Sequence, residues 1–218
     1  MNSLNVRFTS LLQPFQHLIT SSRRIVISAE DSKTGSRIGG NAPEGVRPEI
    51  ATAAPRYLLT LALNEVSEVS LFHSIELDDE TNPNYLYKDV SKLQPPESRI
   101  VQCIIHSPAP RSCSSDLRSD LIGRALVIEP ERPDILVEPG GELLLGSKVG
   151  GRPYYFYGTV SYIESLNRLF DQGFCLVLQY TDGGYPERGY FNSPFDEYTF
   201  HLLAKDTPQG IIWRYGWG

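Results

Sequence analysis

Apolar positions along the chain follow two periods, and the period of two dominates. Ile211, Trp213, Tyr215 and Trp217 alternate with Ile212, Arg214 and Gly216, which predicts a strand that lays an aromatic face on a core. Runs rich in β-branched and large apolar residues predict buried strands at 25–27, 58–63, 69–75, 100–106, 125–128 and 174–180, with further strands at 135–137, 142–149 and 198–204. The helical period is rarer. Ser10 and Gln13 have capping-box spacing, and Leu11, Leu12, Phe15, Leu18 and Ile19 then share one helical face, with Pro14 tolerated in the opening turn. Ser161 and Glu164 repeat that spacing ahead of a face made of Tyr162, Ile163, Leu166, Leu169 and Phe170, and Gly173 closes the helix. A third, short helix is predicted over 115–122.

Between these elements lie stretches of turn-forming residues. The segment 31–40 is polar and glycine-bearing, 78–96 holds Asn82, Pro83, Pro95 and Pro96, and 107–115 carries Pro108 and Pro110. Asp182, Gly183 and Gly184 mark a turn after the 174–180 strand. One loop pattern occurs twice: Ser36, Arg37, Ile38, Gly39, Gly40 matches Ser147, Lys148, Val149, Gly150, Gly151 in character, with Pro43 and Pro153 following. Paired glycines permit positive φ, so each pair reads as a tight entry turn into a sheet. The repetition suggests a diverged duplication. The expected fold class is therefore α+β, mainly β: two related β-rich halves, about 20–105 and 125–218, with a few short helices, packed as one compact domain spanning 1–218.

These loops give the chain a family likeness. Lys148, Val149, Gly150, Gly151 and Pro153, followed by Leu176, Leu178 and Gln179, resemble the YwqG-like family, whose members carry a basic residue, an aliphatic one and Gly-Gly before a proline, then a strand ending in glutamine, twice over. The resemblance runs from about 143 to 205. In the first half it rests on 37–40 and the 59–64 strand, with Asn64 where the family has glutamine and Pro43 displaced. It implies a mixed fold of two related β-rich halves, no established enzymatic activity and, for some relatives, a role as immunity proteins beside bacterial polymorphic toxins, with type VI secretion as a route of toxin delivery.

Composition narrows the functional classes. Hydrophobic residues at 40% and charged residues at 21% place the chain among globular proteins. No apolar run approaches the roughly 20 residues needed to span a bilayer, and Gln13, Pro14, Gln16 and His17 interrupt the stretch that a signal peptide would use. The three cysteines, Cys103, Cys113 and Cys175, are odd in number and suit reduced thiols in a cytosol. A net charge of −6 repels a nucleic-acid backbone and favours a basic partner.

Chemistry-bearing patterns are sparse. Cys103, His106 and Cys113 offer three metal ligands without a fourth, and a strand histidine among thiols explains the same residues, so no metal and no cofactor are expected. Cys113 with His106 as base lacks a visible orienting acid. The phosphate-loop, dinucleotide, metalloprotease and serine-elbow motifs are absent. Tyr154 to Tyr157 form an aromatic run that lacks the flanking cations of a nucleic-acid surface, apart from Arg152.

The expected function is accordingly that of a binding protein and not an enzyme: a cytoplasmic immunity protein that neutralises a basic toxin, such as a nuclease, by stoichiometric contact. The expected partner-binding residues are Asp78, Asp79, Glu80, Asp182, Tyr185, Glu187, Asp196 and Glu197, since carboxylates beside aromatics in turn-rich segments combine steering with a desolvated anchor. The alternative is a small-ligand-binding protein or an enzyme with a pocket between the two halves, rimmed by the glycine loops.

Overall fold

The computed structural model describes residues 12, 15, 18, 20–49, 55–73, 101–114, 116–117, 119, 121–134, 146–153, 160–181 and 199–217. Eleven strands are defined in chain order: β1 (Ser21–Ile27), β2 (Arg37–Ile38), β3 (Arg56–Asn64), β4 (Ser67–His73), β5 (Val101–His106), β6 (Arg124–Ile128), β7 (Arg132–Pro133), β8 (Lys148–Gly150), β9 (Cys175–Tyr180), β10 (Phe200–Thr207) and β11 (Gly210–Trp217). One helix, α1 (Val160–Asp171), has bounds among the described residues, and Leu12 and Phe15 carry helical backbone near the N-terminus.

All strands join one sheet in the order β11-β10-β9-β8-β1-β6-β2-β3-β4-β5, with β7 added beside β1. Every pairing is antiparallel. Its two ends approach each other, because the Tyr215 hydroxyl oxygen on β11 accepts the Val101 N–H on β5 over 3.3 Å. The result is a nearly closed, barrel-like antiparallel sheet, the arrangement by which β proteins remove exposed strand edges.

This architecture corrects the expectation of two related halves with a few short helices. β1 belongs to the first expected half, yet its partners β6, β7 and β8 all come from the second. β2, also from the first half, pairs with β6 as well as β3. The hydrogen bonds therefore interleave the two stretches of chain, and no division into halves is supported. Among the described residues the fold is mostly β with one bounded helix, in place of the expected α+β class with a few short helices.

The core follows from strand alternation. Leu59, Leu61 and Leu63 on β3, Val69 and Leu71 on β4, Val177 on β9, Leu202 and Ala204 on β10, and Trp213 and Tyr215 on β11 form one buried cluster, which Leu12 and Phe15 also enter. The opposite faces of β9 and β10 are covered by α1, where Tyr162 and Leu166 are buried against Phe174, Leu176 and Leu203. Helix α1 starts at Val160, so Ser161 lies in its first turn and not at the cap. Its C-terminus is a Schellman motif: Gly173 has φ 86°, its N–H donates to Phe170 O at 2.8 Å, and Phe174 N–H donates to Leu169 O at 3.0 Å.

The short helix expected over 115–122 does not form at the residues described there, and Asp116 and Leu117 lie in a turn. Serine hydroxyls take the backbone donors that a helix would use: Ser112 Oγ accepts from Ser114 N at 3.0 Å, Ser114 Oγ from Asp116 N at 3.3 Å, and Ser119 Oγ from Leu121 N at 3.2 Å. The segments 135–145, 154–159 and 182–198, with the strands, aromatic run and turn expected in them, lie outside the described residues, as does the 78–96 excursion.

Candidate functional site

Antiparallel register gathers a polar group on the outer face of β2 to β5. Arg37 sits opposite Thr60, Thr60 opposite Ser70, and Glu68 opposite His106. On β4 the alternation sends Val69 and Leu71 to the core and leaves Glu68, Ser70 and Phe72 on the other face. A register shift between Tyr57 and Leu59 puts Leu58 and Leu59 both in the core and brings Tyr57 to the face of Thr60. Without that bulge, residues three apart on a strand would point to opposite sides.

Two polar systems result. In the first, hydroxyls and an imidazole form a chain: Tyr57 Oη to Thr60 Oγ1 at 2.8 Å, Thr60 Oγ1 to Ser70 Oγ at 2.7 Å, and Ser70 Oγ to His106 Nε2 at 2.8 Å. His106 Nδ1 meets the Ser107 carbonyl at 2.7 Å. In the second, Arg37, fully buried, donates to Gly35 O at 2.6 Å and Ala109 O at 2.8 Å and lies 3.7 Å from Glu68 Oε2. Glu68, also buried, accepts from Ala109 N at 3.4 Å and stands 4.0 Å from His106 Nδ1. Burial pushes the Tyr57 phenol up to about 12, against the pull of the Arg37 cation nearby.

A covering layer closes over this face. Ser112 N donates to Ala42 O, Glu44 N to Pro110 O and Ser119 N to Gly40 O, each at 2.8 Å, so residues 40–46 and 110–119 are stitched together. Ala42 and Val46 from this layer pack on Tyr57 and Phe72, with Ile104 and Leu117 at the margin. Above them is a pocket of about 190 Å³ lined by Ala42, Pro43, Val46, Arg47, Asp116 and Leu117, among others.

Ser70, His106 and Glu68 have the residue types of a nucleophilic triad, but Ser70 is 0% exposed and its hydroxyl is held between Thr60 and His106. A nucleophile needs room for the electrophile beside it. The arrangement as it stands is a closed hydrogen-bond system.

Around the second glycine pair the charges are again turned inward. Lys148 Nζ donates to Asp134 Oδ1 at 2.6 Å, Ser22 Oγ donates to the same oxygen at 2.8 Å, and Arg152 N donates to Oδ2 at 2.8 Å. Burial lowers the Lys148 pKa, and the hydrogen bond and charge of Asp134 oppose that fall. Gly39, Gly40, Gly150 and Gly151 all have φ near +70°. A Cβ at Gly39 would lie 2.7 Å from Leu121 O, and one at Gly151 would lie 2.5 Å from the Asp134 carboxyl carbon. The glycines at 39 and 151 are pressed against backbone and side chains, which a Cβ would strike.

The eight expected partner-binding residues, Asp78, Asp79, Glu80, Asp182, Tyr185, Glu187, Asp196 and Glu197, lie outside the described residues. Cys103 is partly buried, Cys113 exposed and Cys175 buried. Among the described residues no group of three His, Cys, Asp or Glu side chains is placed to hold a metal ion, and no helix is long and apolar enough to cross a membrane. Sequence reasoning noticed His106 but not Glu68, Ser70, Thr60 or Tyr57 as its company. Comparison with protein-family models, with curated proteins and with solved structures returns no match.

Proposed function

We propose that the protein is a cytoplasmic immunity protein that binds a basic bacterial toxin, such as a nuclease, and blocks it by stoichiometric contact. The observation that carries this reading is an exposed apolar pair in the middle of the sheet. Val26 on β1 and Val127 on β6 are direct cross-strand partners, 37% and 51% exposed. The ion pairs Arg132–Glu129 at 2.6 Å and Arg23–Glu131 at 3.9 Å lie in and beside the same strands. An apolar centre with a charged rim is the composition of a protein–protein contact. The net charge of −6 supports a basic partner, since it speeds encounter by steering. Asp78, Asp79, Glu80, Asp182, Glu187, Asp196 and Glu197 supply that steering in this reading, and Tyr185 an anchor.

The pocket beside Ala42 and Val46 favours a second reading, a small-ligand-binding protein. At about 190 Å³ it is smaller than the roughly 300–1,000 Å³ of typical ligand sites. The test is rescue of cells that express the product of the adjacent gene, with Val26→Asp, Val127→Asp, Tyr185→Ala and charge reversals at 78–80 and at 196–197. Loss of protection by folded variants, with Tyr185→Ala costing on the order of 2 kcal/mol of affinity, supports the proposal. Full protection and unchanged affinity in all of them removes these residues from the interface, and failure to recover any toxin partner removes the function.

A further inference from the structure

The hydrogen-bond chain on the outer face of β3 to β5 has its direction set at one end. The Ser107 carbonyl can only accept, so His106 Nδ1, 2.7 Å away, carries a proton. Neutral imidazole has one N–H, which makes Nε2 an acceptor and Ser70 Oγ its donor. The single Ser70 proton is then committed, so Ser70 accepts from Thr60, and Thr60 by the same rule accepts from Tyr57. Four side chains are thus locked into one polarity, Tyr57 to Thr60 to Ser70 to His106. Tyr57, Thr60 and Ser70 are all 0% exposed, so water does not offer them substitutes.

We propose that His106 is a proton sensor whose state the Ser70 and Thr60 hydroxyls relay to Tyr57, beneath the covering layer and its pocket. When a proton binds Nε2, that nitrogen becomes a donor and Ser70 must accept from it. Ser70 then donates to Thr60, Thr60 donates to Tyr57, and the Tyr57 proton loses its acceptor. A buried donor without a partner is unfavourable, so the phenol reorients. Its ring packs on Ala42, Val46 and Phe72, which makes the covering layer the part that responds. The charged groups around the chain are Glu68 from β4, 4.0 Å from His106 Nδ1, Arg37 from β2 behind it, and Arg111 from the covering layer near Tyr57.

The experiment is nuclear magnetic resonance of the full chain, with labelled histidine rings and tyrosine Cζ atoms, titrated from alkaline to acid pH. The expected results are an Nδ1–H tautomer for neutral His106 and a Tyr57 Cζ signal that moves with the same midpoint as the His106 ring. Thr60→Val removes the middle hydroxyl at nearly constant shape and is expected to abolish the Tyr57 response while His106 still titrates. Ser70→Ala makes the same break from β4, so the relay is tested even if one variant fails to fold. An Nε2–H tautomer, a Tyr57 signal that ignores His106, or a response that persists in a folded break variant would overturn the proposal.

Discussion

Gly39 and Gly45 separate two effects that glycine usually combines. Both have positive φ, 68° and 75°, but a Cβ at Gly39 would press on Leu121 O at 2.7 Å and on Ile122 O, whereas Gly45 faces open space. Gly45→Ala is expected to cost about 1 kcal/mol, the left-handed strain of roughly 1–2 kcal/mol offset in part by a stiffer unfolded chain. Gly39→Ala is expected to cost clearly more, because backbone carbonyls cannot move aside as a side-chain tip can. Urea unfolding of the two variants checks the order, and equal losses would contradict it. The Arg37–Glu68 pair gives a second expectation. Removing either partner alone, as Arg37→Met or Glu68→Leu, leaves the other charge buried and is expected to cost about 3–5 kcal/mol. The double variant is expected to cost less than the sum, and a strictly additive double-mutant cycle would show that the two charges are not coupled. At this scale the sequence was only partly legible. Arg37 and Lys148 stood out beside their glycines, but their carboxylates are 31 and 14 positions distant and carry no local mark.

Strands were easier to read than their company. β3, β5 and β9 fall within two residues of their expected bounds because β-branched and large apolar residues fill them. β2 and β7 were not expected, since two residues give no period to read. α1 was legible from its apolar face, and that face predicts its energetics. Leu166 is 0% exposed between α1 and β10, so Leu166→Ala is expected to destabilise by about 2–5 kcal/mol and to raise amide exchange in α1 before the sheet opens. Exchange measured by mass spectrometry checks this. If α1 and β10 lose protection together, the helix is not a separable unit. The described residues of 115–122 are not helical because the serine hydroxyls at 112, 114 and 119 capture backbone donors locally.

For the whole molecule, buried acids set the response to alkali. Burial pushes the Cys103 and Cys175 thiols and the Tyr57 phenol each up to about 12, and raises Tyr162 and Tyr215 as well. In the unfolded chain, thiols titrate near 8.5 and phenols near 10, so above about pH 8.5 the unfolded state binds fewer protons than the folded one. Stability from these groups is complete below that pH and is lost as pH rises toward 12. Lys148 acts in the opposite sense, because its lowered pKa releases a proton from the folded state first. Among the described residues five groups against one give a net loss, and the melting temperature is expected to fall steadily as pH rises above about 8.5. A melting temperature unchanged to pH 11 would contradict the burial of these groups.

Where strands and turns lie follows from residue type and spacing alone, because a β-branched run, a proline or a glycine pair acts on its own few residues. The repeated glycine loop was equally visible, but it did not disclose that β1 would pair with β6, β7 and β8, since pairing depends on residues a hundred positions away. The candidate site belongs wholly to that second kind of information. Thr60, Ser70 and His106 are ordinary strand residues until antiparallel register sets them side by side, and Tyr57 joins them only through a one-residue bulge. The covering layer of residues 40–46 and 110–119 then removes water from that face of the sheet, so hydrogen bonds that would be negligible in solvent become a single directed set.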